Sequence, residues 1–290
     1  MITRTLKNAA WLGWQIETNW ADPFVFAIYA IVKPIASALI LVVMYRVVSG
    51  AGLMSNGTST HSDGQAIFSY IYLGNAFYIY VATVMTGVSW AVIDDREHYR
   101  TLKYIYTAPI SFPTYLIGRG IARFFTGTIS VLVTLIAGIL FLGVEIPWGQ
   151  VNWLMFVGAL LLGIVALVAM GMILAGITLM IVNHVWFVGE AVAGALYLFS
   201  GAIFPLTVLP VWLQPIGFAL PITYWMELLR RALLGSQAQA FPALAHFSNL
   251  QLFAILGGIT LAMSAISALS FRWCENQARD RSLLDMTTNY

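Results

Sequence analysis

Apolar residues in this chain fall in long unbroken runs separated by short polar or proline-rich joints, and that alternation lays out the elements. A lipid-spanning helix needs about 20 consecutive apolar residues. Six runs approach or exceed that length: Phe24–Val48, Ala66–Ile93, Tyr115–Leu142, Asn152–Val182, Val185–Ile203 and Asn249–Phe271. Only the turn Asn183–His184 separates the fourth from the fifth. Ahead of the first run, Ile2, Leu6, Ala9, Gly13, Ile16 and Trp20 recur on one stripe, with Arg4, Lys7, Asn8, Gln15 and Thr18 largely elsewhere. Trp11, Trp14 and Trp20 suit the headgroup layer. This predicts an amphipathic helix on the membrane surface within residues 1–22, turning at Asp22–Pro23. The longest polar stretch, Ser49–Gln65, is read as the loop after span one.

Composition fixes the solvent. Charged residues make up 9% of the 290 and hydrophobic ones 60%, against about 25% charged in a soluble domain. Between Phe124 and Gly189 the only charge is Glu145, and between Ala232 and Phe271 there is none. Such a surface faces lipid, and the expected fold class is an all-α integral membrane protein with six transmembrane helices. A net charge of +2 argues against nucleic acid as a partner. One cysteine, Cys274, excludes an internal disulfide framework. His61 and His246 fall on one side of the predicted topology, and His98 and His184 on the other. No three histidines therefore meet by spacing, and no metal is expected.

Charge sets the orientation. With both termini inside, the cytosolic pieces hold Arg4, Lys7, Arg96, Arg100, Lys103, Arg119, Arg123, Arg272, Arg279 and Arg281. The outer pieces hold Arg46, Arg230 and Arg231. The positive-inside bias places both termini in the cytosol, and a plasma (inner) membrane is the expected location.

Two joints carry more than connectivity. Asp94–Ile110, DDREHYRTLKYIYTAPI, opens on acids and closes at Pro109, which predicts a cytosolic helix over 94–110. Tyr99, Tyr104, Ile105 and Tyr106 among charges predict a docking surface for a soluble partner, with Leu102 and Ile105 sharing a face and Glu97 at the rim. The second joint, Leu198–Gly235, carries Pro205, Pro210, Pro215 and Pro221 yet no charge from Ala191 to Met226. Prolines at that density break a helix, and broken apolar backbone at membrane depth must be covered by protein or line a cavity. Short re-entrant helices over 204–235 are expected, with Glu227 pairing to Arg230 or Arg231.

Within spans, Lys33 and Glu190 are lone ionisable groups, costly in lipid and therefore candidates for a substrate pathway. The aromatics Phe68, Tyr70, Tyr72, Phe77, Tyr78 and Tyr80 are expected to form mostly an interfacial belt. Ala159, Gly163, Gly171 and Ala175 are expected to admit close helix packing.

SGAIFP, then LP, then PITYWMELLR resembles the C-terminal signature of the membrane subunits of ABC-2-type (type V) ABC exporters. REHYRTLKYIYTAPIS is similar to that family's first coupling segment, departing at Arg100, where the family often has Gly, and at Lys103, where an acid is common. The resemblance implies a single membrane domain over 1–290 that pairs with a second membrane subunit, expected to be another copy. It also implies two copies of a cytosolic ATPase subunit carrying ATP and Mg. It assigns Glu97, Thr101, Leu102, Ile105 and Pro109 to ATPase coupling, and Ser200, Gly201, Phe204, Pro205, Pro210 and Pro221 to an outer re-entrant gate. The chain has no Gly-rich loop ending in Gly-Lys-Ser/Thr, so no catalytic residue or cofactor of its own is expected. The expected cargo is a hydrophobic or amphiphilic drug or lipid-like molecule, with a lipid-linked glycan or polysaccharide as the alternative. A proton-coupled carrier using Lys33 and Glu190 is a different-class alternative, but it would have no need of a coupling helix.

Overall fold

A computed structural model of the chain describes residues 2–19, 61–181, 186–235 and 244–283, with isolated positions between 22 and 43 and at 238. Most of expected span one, including Lys33, and the Asn183–His184 turn lie outside the described residues, as does most of the Ser49–Gln65 loop.

The amphipathic helix is α1, Ile2–Thr18. Next comes α2, one helical run through His61–Tyr80, Val81–Met85, Thr86–Ile93 and Asp94–His98, in which the second and fourth pieces widen into π turns. There follow α3 (Leu102–Thr107), α4 (Phe112–Phe141), α5 (Trp153–Met180), α6 (Trp186–Phe199), α7 (Gln214–Ala219), α8 (Pro221–Leu234) and α9 (Asn249–Asp280). Among the described residues there is no strand. Among the described residues four helices are long and apolar enough to cross a bilayer: Gln65–His98, Phe112–Phe141, Trp153–Met180 and Asn249–Asp280. The chain is a multi-pass membrane protein.

Helix α6 spans 14 described residues and stops at Phe199, four short of the expected end of span five. At about 1.5 Å per residue it falls short of a 30 Å hydrocarbon core. Gly201, at φ +72°, turns the chain where another residue would be strained.

Helix α2 is the axis of the bundle. It packs on α4, α5, α6 and α8, and most of its apolar length is buried. The aromatic belt expected on it is therefore an inward face. Phe68, Tyr70, Tyr72, Phe77, Tyr78 and Tyr80 are all buried, because this helix has neighbours on every side. Their hydroxyls find internal partners: Tyr72 donates to the Thr134 carbonyl at 2.7 Å and Tyr80 to Thr128 Oγ1 at 3.0 Å.

Small residues set the closest crossings. Ala9 and Gly13 on the α1 stripe meet Gly118 and Ala122 of α4, where an added Cβ would collide with the opposite helix. Ala159, Gly163, Gly171 and Ala175 of α5 are buried as expected. Gly163 lies against the Trp225 indole and Gly171 against the Met85 carbonyl of α2.

Candidate functional site

Three arginines organise the α1 end of the bundle, each from a different direction. Arg96, with 1% of its side chain exposed, donates to the carbonyls of Thr178 (3.2 Å) and Ile181 (3.0 Å) and pairs with Glu97 at 3.2 Å. A cation there meets the orphan carbonyls and the negative dipole end of α5. Arg119 of α4 donates to Asp95 Oδ1 at 3.2 Å and to the Tyr115 hydroxyl at 2.9 Å, and lies 3.8 Å from Asp94. Arg123, one turn further on, holds Glu17 of α1 at 2.6 Å and approaches Asp94 at 3.9 Å. Burial pushes the Glu17 carboxyl above its ordinary value, while Arg123 and Arg119 pull it down.

These contacts explain how the coupling segment is built. The expected single helix over 94–110 is instead a π turn, a break and the short α3. Asp94–His98 continues α2, closing with the Tyr99 amide on the Asp94 carbonyl (2.8 Å) and the Thr101 amide on that of Asp95 (2.8 Å). Buried pairing with Arg119 lets the acids finish a span instead of opening a new helix. Arg100 takes the left-handed φ of 52°, and α3 starts at Leu102. Thr101 donates from Oγ1 to Asp95 Oδ1 at 3.3 Å, tying the segment back to α2.

The predicted coupling residues therefore divide. Leu102, expected on an exposed face, is 2% exposed and packs among Ala9, Val88, Tyr115 and Leu116 in a core between α1, α2 and α4. A six-residue helix on an apolar floor must bury its one leucine facing that floor. Glu97 pairs with Arg96, Ile105 is half-buried and Pro109 exposed. The outward surface belongs to Tyr99 and Tyr104, 50% and 65% exposed. Tyr106 lies under the Arg279 guanidinium of α9, 4.8 Å from it, and burial raises its hydroxyl pKa. The segment thus touches α1, α2 and α9.

Two cavities open beside it. One of about 720 Å³ is lined by residues of α1 (Leu12 and Ile16 among them), by Asp95 and Tyr115, and by the segment from Tyr99 to Ile110. A smaller one is lined by Ile16, Glu17, Asp94, His98 and Tyr99.

At the opposite end a fourth arginine does similar work. Arg230 of α8, 2% exposed, donates to the carbonyls of Gly201 (3.0 Å) and Ala202 (2.7 Å) and stacks over the Tyr70 ring at 3.9 Å. Arg231, not Arg230, takes Glu227, at 2.8 Å, and the Tyr70 hydroxyl donates to the same carboxylate at 3.1 Å. Of the expected gate residues, Ser200 and Gly201 are buried at the break after α6, and Phe204 and Pro205 are half-buried. Pro210 is exposed, and Pro221 opens α8 from a buried position. Glu190 is exposed on α6.

Sequence reading missed Asp95, Arg96, Arg119, Arg123, Glu17 and Tyr70. The available signal was two arginines four apart at the start of an apolar run, beside an adjacent acid pair at the end of the preceding one.

Residues 9–234 match the family model of the ABC-2 type transporter, which takes in both charged clusters. The chain belongs to that family. Two proteins of Mycobacterium tuberculosis, from strains CDC 1551 / Oshkosh and ATCC 25618 / H37Rv, bear the name "Probable doxorubicin resistance ABC transporter permease protein DrrC". Each is 27% identical to this chain over 225 residues, covering 76% of this chain and 75% of its own length. As an ABC-2 transporter, the chain is the membrane component of its complex.

Proposed function

We propose that this chain is the pathway-forming subunit of an ATP-driven exporter. It pairs with a second copy of itself, and two separate ATPase subunits dock against Tyr99, Tyr104 and Ile105. In this reading both termini and the α1 end are cytosolic, in a plasma (inner) membrane, and hydrolysis resides wholly in the docked subunits. The supporting observation is the joint at Asp95. One buried carboxylate holds Thr101 of the coupling segment and Arg119 of a spanning helix, so force applied to α3 is passed directly into the bundle. The cargo is hydrophobic or amphiphilic, and the drug-resistance name of the Mycobacterium relatives favours a drug-like molecule over a lipid-linked glycan.

The test is co-purification with the ATPase subunit and its hydrolysis rate. Tyr104→Asp places a charge on a residue that is already 65% exposed, so the fold should persist while ATPase recovery falls severalfold. Wild-type recovery and hydrolysis in this variant would remove α3 as the docking element. Robust hydrolysis by the chain alone, with contamination excluded, would overturn the assignment of ATP chemistry to a partner.

A further inference from the structure

The apolar run of α9 ends at Phe271, yet the helix continues to Asp280. Its added turns are seated against the protein. Phe271, Cys274, Glu275 and Ala278 are buried, and spacings of three and four put them on one helix face. Phe271 and Ala278 join the core that holds Leu102, and Cys274 lies against Gly176 near the end of α5. Most of the apolar length of α9, by contrast, is left uncovered by the described chain. Helix α9 is therefore held most closely at the end where the coupling segment lies.

The coupling segment reaches that end through Tyr106. Its ring packs on Phe112 at 4.9 Å, and Phe112 packs in turn on Phe271 of α9 at 5.9 Å. The Arg279 guanidinium covers the same ring at 4.8 Å. One turn earlier, Glu275 accepts from Arg279 Nη2 at 2.7 Å, which orients the cation over the ring. The Tyr106 hydroxyl is buried and makes no hydrogen bond, so the grip is on the ring. Helix α3 thus has a tether near each end. Thr101 ties its start to α2 through Asp95, and Tyr106 ties its last turn to α9. The two tethered helices differ in freedom. Helix α2 is enclosed by neighbours, whereas α9 packs chiefly on α5 and touches α8.

We infer that Tyr106, Glu275 and Arg279 are positioning residues that make α9 a second driven helix, carrying movement of α3 into the cytosolic end of the last span. This rests on the exporter reading above and adds to it a route that bypasses the Asp95 joint. A six-residue helix tethered near both ends moves as one piece, so displacing it pulls on α2 and α9 together. The less enclosed of the two has fewer contacts to break when it shifts. None of the three residues belongs to the face assigned to the ATPase, so docking and transmission are separable by mutation.

The test uses the complete complex, chain plus ATPase subunits, in phosphatidylcholine nanodiscs. Amide exchange is compared between the nucleotide-free state and the state trapped with ATP and vanadate, because exchange reports local opening segment by segment. In the wild type, trapping should change exchange in residues 102–107 and in residues 271–283. Arg279→Ala alters a side chain that is 54% exposed, so the fold and ATPase recovery should persist. This variant should keep the change at 102–107 and lose most of that at 271–283. Tyr106→Leu should match it, and Tyr106→Phe, which keeps the ring, should behave as wild type. A clasp that served stability alone would raise exchange at 271–283 equally in both states and preserve the difference on trapping. That result in Arg279→Ala overturns the inference. A wild-type change confined to 102–107 also removes it and leaves the exporter standing. A chain that captures no ATPase, or a segment 102–107 that does not respond to trapping, removes the exporter reading and this inference with it.

Discussion

Arg119 and Asp95 meet across two spanning helices at 3.2 Å, with 2% of each side chain exposed. Desolvation at that depth makes the pair a weak source of net stability but costly to break from one side. Arg119→Met should therefore destabilise the chain by about 3–5 kcal/mol, the penalty for a buried charge left alone. Arg119→Met combined with Asp95→Leu should recover much of that loss. A double-mutant cycle from reversible denaturation in detergent checks this, and additive single effects would show that the two residues do not depend on each other.

A second expectation comes from Arg100, a residue with a side chain held at φ 52°. Left-handed backbone costs an L-residue about 1–2 kcal/mol, and glycine avoids most of that cost. Arg100→Gly should stabilise the segment by up to about 1 kcal/mol, reduced by glycine's greater freedom in the unfolded chain. The Arg100→Ala control removes the same charge and keeps the strain. A melting temperature for Arg100→Gly no higher than that of Arg100→Ala would place the conformation outside the energetics.

Sequence patterning located α4, α5 and the start of α9 closely, because apolar runs bounded by Pro, Asn or Ser leave little freedom in placing a span. It ended the second span at Ile93, where the charges begin, whereas the helix continues to His98. The acids could be read as a helix start only while Arg119 was not known to lie opposite them, and no local pattern carries that contact. The same blindness put Leu102 outside and Tyr70 in an interfacial belt, since burial of one face depends on which neighbours arrive. Arg100 is the exception: its departure from the glycine common in the resembling family coincides with the one strained φ in the segment.

Two glycines should respond oppositely to the same change. A Cβ on Gly163 would land in the Trp225 indole, itself 1% exposed, so Gly163→Ala should cost about 1–3 kcal/mol by overpacking. Gly257 of α9 has nothing within 4 Å of such an atom, and Gly257→Ala should be neutral or gain up to about 1 kcal/mol in helix propensity. Thermal scans of both variants in one detergent decide it. Equal effects would mean that α5 and α8 do not meet as closely as described.

The last expectation concerns Arg230, whose charge no carboxylate neutralises among its hydrogen bonds: Glu227 pairs with Arg231, and Arg230 turns to two carbonyls and a ring. Those carbonyls, of Gly201 and Ala202, belong to the turn that breaks the chain after α6. Without a donor they would be bare in a buried setting, where an unsatisfied polar group costs several kcal/mol. A planar guanidinium reaches both at once and still offers its face to Tyr70, and an ammonium cannot match that geometry. Arg230→Lys should therefore cost about 1.5–3 kcal/mol, the scale of a hydrogen bond to a charged group, and the loss should be local. Amide exchange should rise in residues 200–209 while α4 and α5 keep their protection, since neither rests on that turn. Gly74→Ala offers an independent route to the same defect, because an added Cβ would collide with the Arg230 guanidinium and the Ala202 carbonyl. If both variants leave exchange at 200–209 unchanged, the break after α6 is held by the prolines alone and Arg230 is not its latch.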